Sequence, residues 1–359
     1  MRRQHSCRRR CQGGVWGDID AFLSTGTAQF AVSAQVRDPV PPTVVTTPSI
    51  TPLRIVFLGQ NGIFSLAPLR AITEHHVIVG VAESAPRGSR RLTWRIWRFF
   101  QGLSRHNGLR RFAWQRRIPF FYLTKERFHA FAGFLKSLNP DLLCMASVSQ
   151  ILPTEILRIP RLGVLNVHPS LLPRYRGPNP LFWQLYEMDS EGGVTIHFAD
   201  EGEDTGDIVL QQSFAIPADM DGHQMIARVS ALGADLLRQA LDAIAEGSVV
   251  RRRQSHLPCP LRARNLRPNE SLIAWDDWPL ERVFRVLRNT RSWNHELEQR
   301  VPVSLFWEWD VVEAISGVPD GPPGSFAQDR NGYYLNHREG KIRLTRRFSP
   351  IPFLRRFLL

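Results

Sequence analysis

The sequence predicts an α/β fold: a doubly wound, mostly parallel sheet, followed by a smaller domain of short strands. Three observations predict it. Residues 53–59 form a continuous apolar run that stops at a glycine, the pattern of a strand buried on both faces. A stretch with helical spacing, residues 64–72, separates that run from a second one at 75–81. This β-α-β opening is the unit from which parallel sheets are built. Beyond about residue 270 the runs become short and are separated by Gly and Pro, which suits a small all-β domain instead.

Length and charge bound the rest. The 359 residues suffice for two domains, each with its own core. No apolar run reaches the ~18 residues that a membrane span needs, so no transmembrane segment is expected. Cys7, Cys11, Cys144 and Cys259 make neither a disulfide framework nor paired metal-ligand spacing. That predicts a reduced, cytoplasmic protein without a bound metal. The formal net charge of +13 is unevenly spread. Residues 84–117 hold ten Arg and no acid, and residues 251–267 hold six Arg and no acid. Residues 118–247 hold nine Lys or Arg against sixteen Asp or Glu. An acidic central region with basic segments beside it suits an enzyme with a separate surface for a polyanion. A genomic preference for Arg is the blander reading, since all but three of the 46 basic residues are Arg.

Residues 1–52 show no sustained periodicity, and Asp18 and Asp20 break the one apolar centre a secretory signal would need. They read as a disordered extension, with a start site placed too early or a mitochondrial presequence as the other readings. Residues 53–250 carry the α/β pattern. The turn at Gly59 and Gly62 is not a GxGxxG fingerprint, so no dinucleotide is inferred. Residues 87–117 interrupt the alternation with a basic, Trp-containing amphipathic helix. That helix packs on the sheet, touches nucleic acid through Arg and stacked rings, or lies on a membrane surface; the sequence leaves the three open. Further strands are expected at 118–122, 141–146 and 163–167. A helix is expected at 126–138, with Phe128, Phe131, Phe134 and Leu135 facing inward. A long helix at 221–246 ends at Gly247. A basic linker, 251–270, leads to a second domain at 271–349. There a short helix at 280–287 precedes five strand-like runs: 301–306, 309–315, 324–328, 332–335 and 341–345. These suggest a small open OB-like β-barrel. Residues 350–359 form a tail.

The chemistry gathers in residues 162–209. Asn166 and His168 lie two apart on a strand, so they share a face. An Asn amide can donate to a developing oxyanion, and an imidazole can move a proton. Asp204, in the loop after a strand at 194–198, can orient His168. No Ser or Cys occupies a nucleophile-elbow context, so direct transfer of an acyl group to an amine suits the set better than a covalent enzyme intermediate. Taken singly, the Asn and the Asp-Thr-Gly turn are ordinary turn residues and the His an ordinary structural one. Their combination and order carry the weight.

Asn166-x-His168-x-Ser170-Leu171-Leu172-Pro173 with Arg176-Gly177, then Gly193-Val194-Thr195 and Asp204-Thr205-Gly206-Asp207, resemble the signature of the 10-formyltetrahydrofolate-dependent formyltransferases. The resemblance runs over about residues 53–349. It implies a Rossmann-like formyltransferase fold, with Asn166, His168 and Asp204 as the catalytic triad and 10-formyltetrahydrofolate as co-substrate. It implies that Ser170, Leu171, Leu172 and Pro173 lie along the folate site, and that Ile151, Leu152 and the 200–204 loop border a slot for the pterin. The C-terminal domain resembles that of the methionyl-tRNA formyltransferases. This implies a tRNA acceptor, with insertion 87–117 and linker 251–267 as its contact surfaces. Residues 59–65 and 178–183 depart from that pattern on the acceptor side, so an aminosugar nucleotide or another small amine stands as the alternative acceptor. A formyltetrahydrofolate hydrolase is the more distant alternative, and a catalytically dead RNA-binding module the most distant. The sequence does not give the oligomeric state.

Overall fold

The computed structural model describes residues 51–85, 108–254, 261–267, 270–302, 304 and 306–349. The expected N-terminal extension, most of the Arg/Trp insertion, part of the linker and the tail lie outside these residues. Among the described residues, no helix is long and apolar enough to cross a membrane.

The α/β pattern folds as it reads. Strand β1 (Arg54–Gly59) leads to helix α1 (Ile63–Ile72) and β2 (Val77–Ser84). Helix α2 (Leu109–Gln115) and β3 (Phe120–Leu123) follow, then α3 (Phe128–Leu138) and β4 (Leu142–Ala146). The short helix α4 (Thr154–Leu157) precedes β5 (Val164–His168). Helix α5 (Pro180–Tyr186), β6 (Glu191–Phe198), β7 (Ile208–Ala215) and the long α6 (Gly222–Ala245) complete the first domain. The sheet order is β3-β2-β1-β4-β5-β6-β7. The first five strands are parallel, and β6 and β7 are antiparallel additions beside β5. The chain therefore reverses its direction of winding between β1 and β4. A crevice opens there at the carboxyl ends of the strands.

Side-chain parity sorts the two faces. Ile55 and Phe57 of β1, Leu142 and Cys144 of β4, and Leu165 and Val167 of β5 pack under α1, α2 and α6. Val56, Leu58, Leu143, Met145 and Val164 point the other way, under α3 and α4. Strands buried on both faces need no polar alternation, which is why β1 and β4 read as unbroken apolar runs. Each fully buried large side chain, such as Phe57 or Phe131, contributes about 1.5–3 kcal/mol relative to exposure. The helix expected at 126–138 begins with one 3-10 turn, Lys125–Arg127, before α3, and buries Phe131 and Leu135. Helix α6 opens with a capping box: the Asp221 carboxylate accepts from the backbone N–H of His223 and Gln224, and the Gln224 side chain accepts from the Asp221 N–H. Such a cap contributes about 1 kcal/mol. The described end of the 87–117 insertion, α2, packs on the sheet through Leu109, Phe112 and Ala113, while Trp114 faces solvent.

The second domain differs from the five-stranded barrel expected of it. Helices α7 (Leu280–Asn289) and α8 (Glu296–Arg300) precede four strands: β8 (Trp307–Ser316), β9 (Phe326–Asp329), β10 (Gly332–His337) and β11 (Gly340–Phe348). They form one antiparallel sheet in the order β8-β11-β10-β9, covered by α7. No strand forms among the described residues of 301–306. Pro302 has no N–H for a ladder, and its carbonyl instead accepts from the Trp309 indole at 3.3 Å. The core of this layer is Trp275, Val283, Val286, Trp309, Leu335 and Ile342.

Candidate active site

Parity also builds the site. In β5, Val164 points toward α3 and α4, so Asn166 and His168 project from that same face. Strand β6 pairs antiparallel with β5, with Asn166 opposite His197 and His168 opposite Thr195. Val194 and Ile196 of β6 enter the α1/α6 core, which turns Thr195 and His197 onto the face of Asn166 and His168. Four polar residues thus meet on a two-strand surface that is otherwise apolar.

The sequence places Asp204 six residues beyond β6, and the structure brings it to these groups. Asn166 Nδ2 donates to Asp204 Oδ1 at 3.3 Å and to His197 Nε2 at 3.1 Å. His168 Nδ1 lies 3.5 Å from Asp204 Oδ2, and His197 Nε2 3.5 Å from Asp204 Oδ1. The Gly177 N–H donates to Asp204 Oδ2 at 2.9 Å. Tautomers follow from the outer bonds. His168 Nε2 is 2.9 Å from the Tyr175 carbonyl, which can only accept, so Nε2 carries the proton and neutral His168 presents a bare Nδ1. His197 Nδ1 is 2.8 Å from the Phe198 carbonyl, so its Nε2 is free to accept from Asn166.

Burial disfavours the charged imidazole and holds His168 below the ordinary histidine range, although Asp204 pulls the other way. For Asp204 burial alone would raise the pKa. In the acid range where a carboxyl titrates, the attraction of protonated His168 and His197, with the Gly177 N–H, outweighs it and holds the carboxyl well below the usual carboxylate range. The resting site is a carboxylate beside a neutral imidazole.

Asp204 is held in a left-handed conformation, φ 55°, a region few non-glycine residues other than Asn and Asp enter readily. Gly206 lets the loop return: a Cβ there would lie 2.0 Å from the Phe198 carbonyl oxygen. Gly206→Ala is therefore expected to displace the loop and destabilise the fold by about 1–3 kcal/mol, read by denaturant unfolding.

A cavity of about 430 Å³ opens over these residues. Its two walls come from opposite faces of the sheet. Met145, Ile151, Leu152, Leu157 and Ala199 belong to the α3/α4 side, with the 200–204 loop at their edge. Phe64, Leu181, Ile226 and Trp293 belong to the α1/α6 side. Gln60 crosses the floor at the switch point, bonded to Ser149 and accepting from Ser147.

Of the residues expected at the site, Asn166, His168, Asp204, Ile151 and Leu152 line this cavity. Ser170, Leu171, Leu172 and Pro173 do not. They build the turn behind it: the Ser170 hydroxyl donates to the Arg174 carbonyl, and the Leu172 N–H donates to Thr195. Of the 178–183 segment, residues 178–182 reach the wall, whereas the Trp183 indole donates to the Arg264 carbonyl of the linker.

Three further participants complete the site. His197 had a signal, its two-residue spacing from Thr195 in a strand facing β5. Trp293 comes from the second domain and packs on Gly222, where a Cβ would lie 2.7 Å from its ring. The linker is the third. Arg251 stacks on Phe198, Arg252 donates to Gln211, and Arg262 pairs with Glu203. The linker is a strap over the first domain, and its described arginines are largely engaged there.

Comparisons with known proteins match this picture. Residues 105–241 match the family described as formyl transferase. A methionyl-tRNA formyltransferase of Pelotomaculum thermopropionicum is 31% identical over 314 residues, 84% of this chain and 95% of that protein. One from Anaeromyxobacter sp. (strain K) is 36% identical over 277 residues, 76% of this chain and 84% of that protein. In fold, the chain resembles an N-formyltransferase of Helicobacter canadensis, solved with folinic acid and dTDP-3-aminofucose. That match has a TM-score of 0.57 at 17% identity, over 82% of this chain and all of that one. A relative alike along almost its whole length, and a family match that spans Asn166, His168 and Asp204, lead to one conclusion: this chain belongs to the formyltransferase family.

Proposed function

We propose that the protein transfers the formyl group of 10-formyltetrahydrofolate to the amino group of methionyl-tRNA. The observation that carries the chemistry is the Asn166-His168-Asp204 cluster at the seam of a two-walled cavity. One wall, apolar through Met145, Ile151, Leu152 and Leu157, suits a flat heterocycle. The donor would lie there and supply the formyl carbon. The amine would approach from the α1/α6 side.

Each residue has a role in that arrangement. Asn166 stabilises the charge that grows on the formyl oxygen as the amine attacks. Its longer bond, to Asp204, is the one exchanged for that oxygen. His168 accepts at Nδ1 the proton that the attacking nitrogen must lose, and returns it to the folate nitrogen as the old C–N bond breaks. Asp204 stabilises the imidazolium that forms between these transfers. No side chain becomes covalently bound.

The acceptor wall favours the tRNA reading over a nucleotide sugar. Phe64, Leu181, Phe182, Ile226 and Trp293 are apolar, and among the described residues that wall carries no Lys or Arg for a diphosphate. An aminoacyl group with an apolar side chain fits it. Charged tRNA would place the reaction in the cytoplasm.

The test is an acceptor panel. The protein is incubated with 10-formyltetrahydrofolate and either methionyl-tRNA, an aminosugar nucleotide, or no acceptor. Formylmethionyl-tRNA is the expected product. Its absence at high enzyme concentration, with formylated sugar present, would move the assignment to the sugar. Formate release without acceptor would move it to hydrolysis.

A further inference from the structure

We propose that Gln254, in the strap between the domains, is a positioning residue for formyl transfer: its side-chain amide pins the Asp204 loop to the Arg176-Gly177 turn and so sets where Asp204 stands against His168. The proposal rests on the roles of Asp204 and His168 given above.

Gln254 is buried, and its side-chain hydrogen bonds reach the site's two loops. Its Nε2 donates to the carbonyl of Asp204 at 2.9 Å and to the carbonyl of Gly206 at 2.7 Å. Its Oε1 accepts from Arg176 Nε at 3.1 Å and from Arg176 Nη2 at 2.7 Å. The partners dictate the side chain. Two carbonyls require donors and a guanidinium requires an acceptor, and an amide supplies two N–H donors and an acceptor oxygen in one side chain. Backbone bonds hold the ends of the 199–207 segment, Ala199 N–H to the Val164 carbonyl and Phe198 N–H to the Asp207 carbonyl. Between them, the Gln254 amide holds the carbonyls on either side of Thr205, and the Asp200 turn holds the stretch before Asp204. In that turn Asp200 accepts from the Gly202 N–H and the Thr205 hydroxyl.

The strap itself is held in register. Ile208 and Arg252 exchange two backbone hydrogen bonds of 2.8 Å. Farther on, the Tyr175 N–H donates to Leu261, and Ala263 pairs with both Arg176 and Asn179. The strap therefore binds both loops that meet at Asp204: one carries its backbone, and the other offers the Gly177 N–H to its carboxylate. Asp204 sits in a left-handed conformation, so its side chain depends on carbonyls held on either side of Thr205. Loss of the amide would leave those carbonyls without a donor and let the loop relax.

A residue that merely stabilises the fold would change the fraction of active enzyme. One that sets the Asp204-His168 distance would also change the titration of His168. His168 faces Asp204 from the β6–β7 loop, His197 from β6 and the Tyr175 carbonyl. Glu203, the residue before Asp204 and paired with Arg262, adds a weaker attraction. Asp204 is the group that favours the charged imidazole most, so its retreat makes His168 harder to protonate.

The experiment compares full-length wild type, Gln254→Met, Asp204→Asn and the double variant in formyl transfer from 10-formyltetrahydrofolate to methionyl-tRNA across pH. Gln254→Met is expected to lower kcat by about 10–100-fold while KM for either substrate stays within about threefold. Its acid limb of kcat/KM should move to lower pH. The double variant should be no slower than Asp204→Asn, because Gln254 acts through Asp204. An unmoved acid limb with losses that multiply would overturn the proposal. Near-normal turnover of Asp204→Asn would instead overturn the reading on which it rests. If Gln254→Met fails to fold by circular dichroism, Gln254→Asn keeps the amide one methylene shorter and should show a smaller shift in the same direction. An unshifted profile there also overturns the proposal.

Discussion

His168→Ala is expected to lower kcat/KM by about 10²–10⁴-fold with the fold intact. The range follows from the chemistry, in which the attacking nitrogen must lose a proton and His168 Nδ1 is the bare base beside the carboxylate. The tautomer is set by the protein alone, because the Tyr175 carbonyl accepts a hydrogen bond from Nε2–H. The pH profile carries a sign. Burial lowers the folded pKa of His168 below its ordinary value, so the imidazole is neutral and competent at pH 7. Activity should fall on the acid side with a midpoint below about 6.5. Stability follows the same group. Folding disfavours protonation of His168, so its effect is absent above the unfolded pKa. A penalty grows as pH falls from about 6.5 through the folded pKa. In His168→Ala both the acid limb and that penalty should vanish. An acid limb in wild type centred above 7, or turnover in His168→Ala within tenfold of wild type, would remove His168 from the proton path.

Much of this site was legible because strand parity is local. Residues two apart in an apolar strand must share a face, so Asn166 and His168 pair from the sequence alone. A polar loop after the next strand supplied Asp204. The doubly wound sheet was legible for a related reason, since runs such as 53–59 and 141–146 lack polar alternation. What was not legible depends on register between distant segments. The 170–173 motif has the look of a ligand surface, yet its polar groups are spent on its own turn and on Thr195. Gln254 lies 50 residues from Asp204, and no periodicity links a linker Gln to a loop carbonyl. Trp293 reaches the cavity only because the turn after α7 packs on the start of α6. The linker's Arg content suggests a free basic surface, but charge composition does not say which arginines find partners inside the chain. In the second domain, a run of Val and Phe at 301–306 has the composition of a strand, although Pro302 breaks its ladder.

Asp204→Asn separates charge from shape at the centre of the site, and its effect should be about 10²–10³-fold in kcat. The backbone argues for this substitution over Asp204→Ala. At φ 55° an alanine would add a conformational cost of about 1–2 kcal/mol, whereas asparagine tolerates the left-handed region. Loss in Asp204→Asn therefore reports the missing charge together with the acceptor that Asn166 Nδ2 gives up, and not backbone strain. The Gly177 N–H can still donate to the remaining amide oxygen, so the turn stays tied. What disappears is the anion that stabilises imidazolium between the two proton transfers. KM for either substrate should change little, because the charge is needed when His168 becomes charged. Stability again carries a sign. The folded carboxyl is held below its ordinary pKa, so the stability it contributes is present above about pH 3.9 and is lost as pH falls through the folded value. Wild type should be the more stable of the two at pH 7, and the difference should shrink in acid. A variant that keeps wild-type kcat while losing stability would leave Asp204 as a strut for the loop, and His168 would then need its charged partner elsewhere.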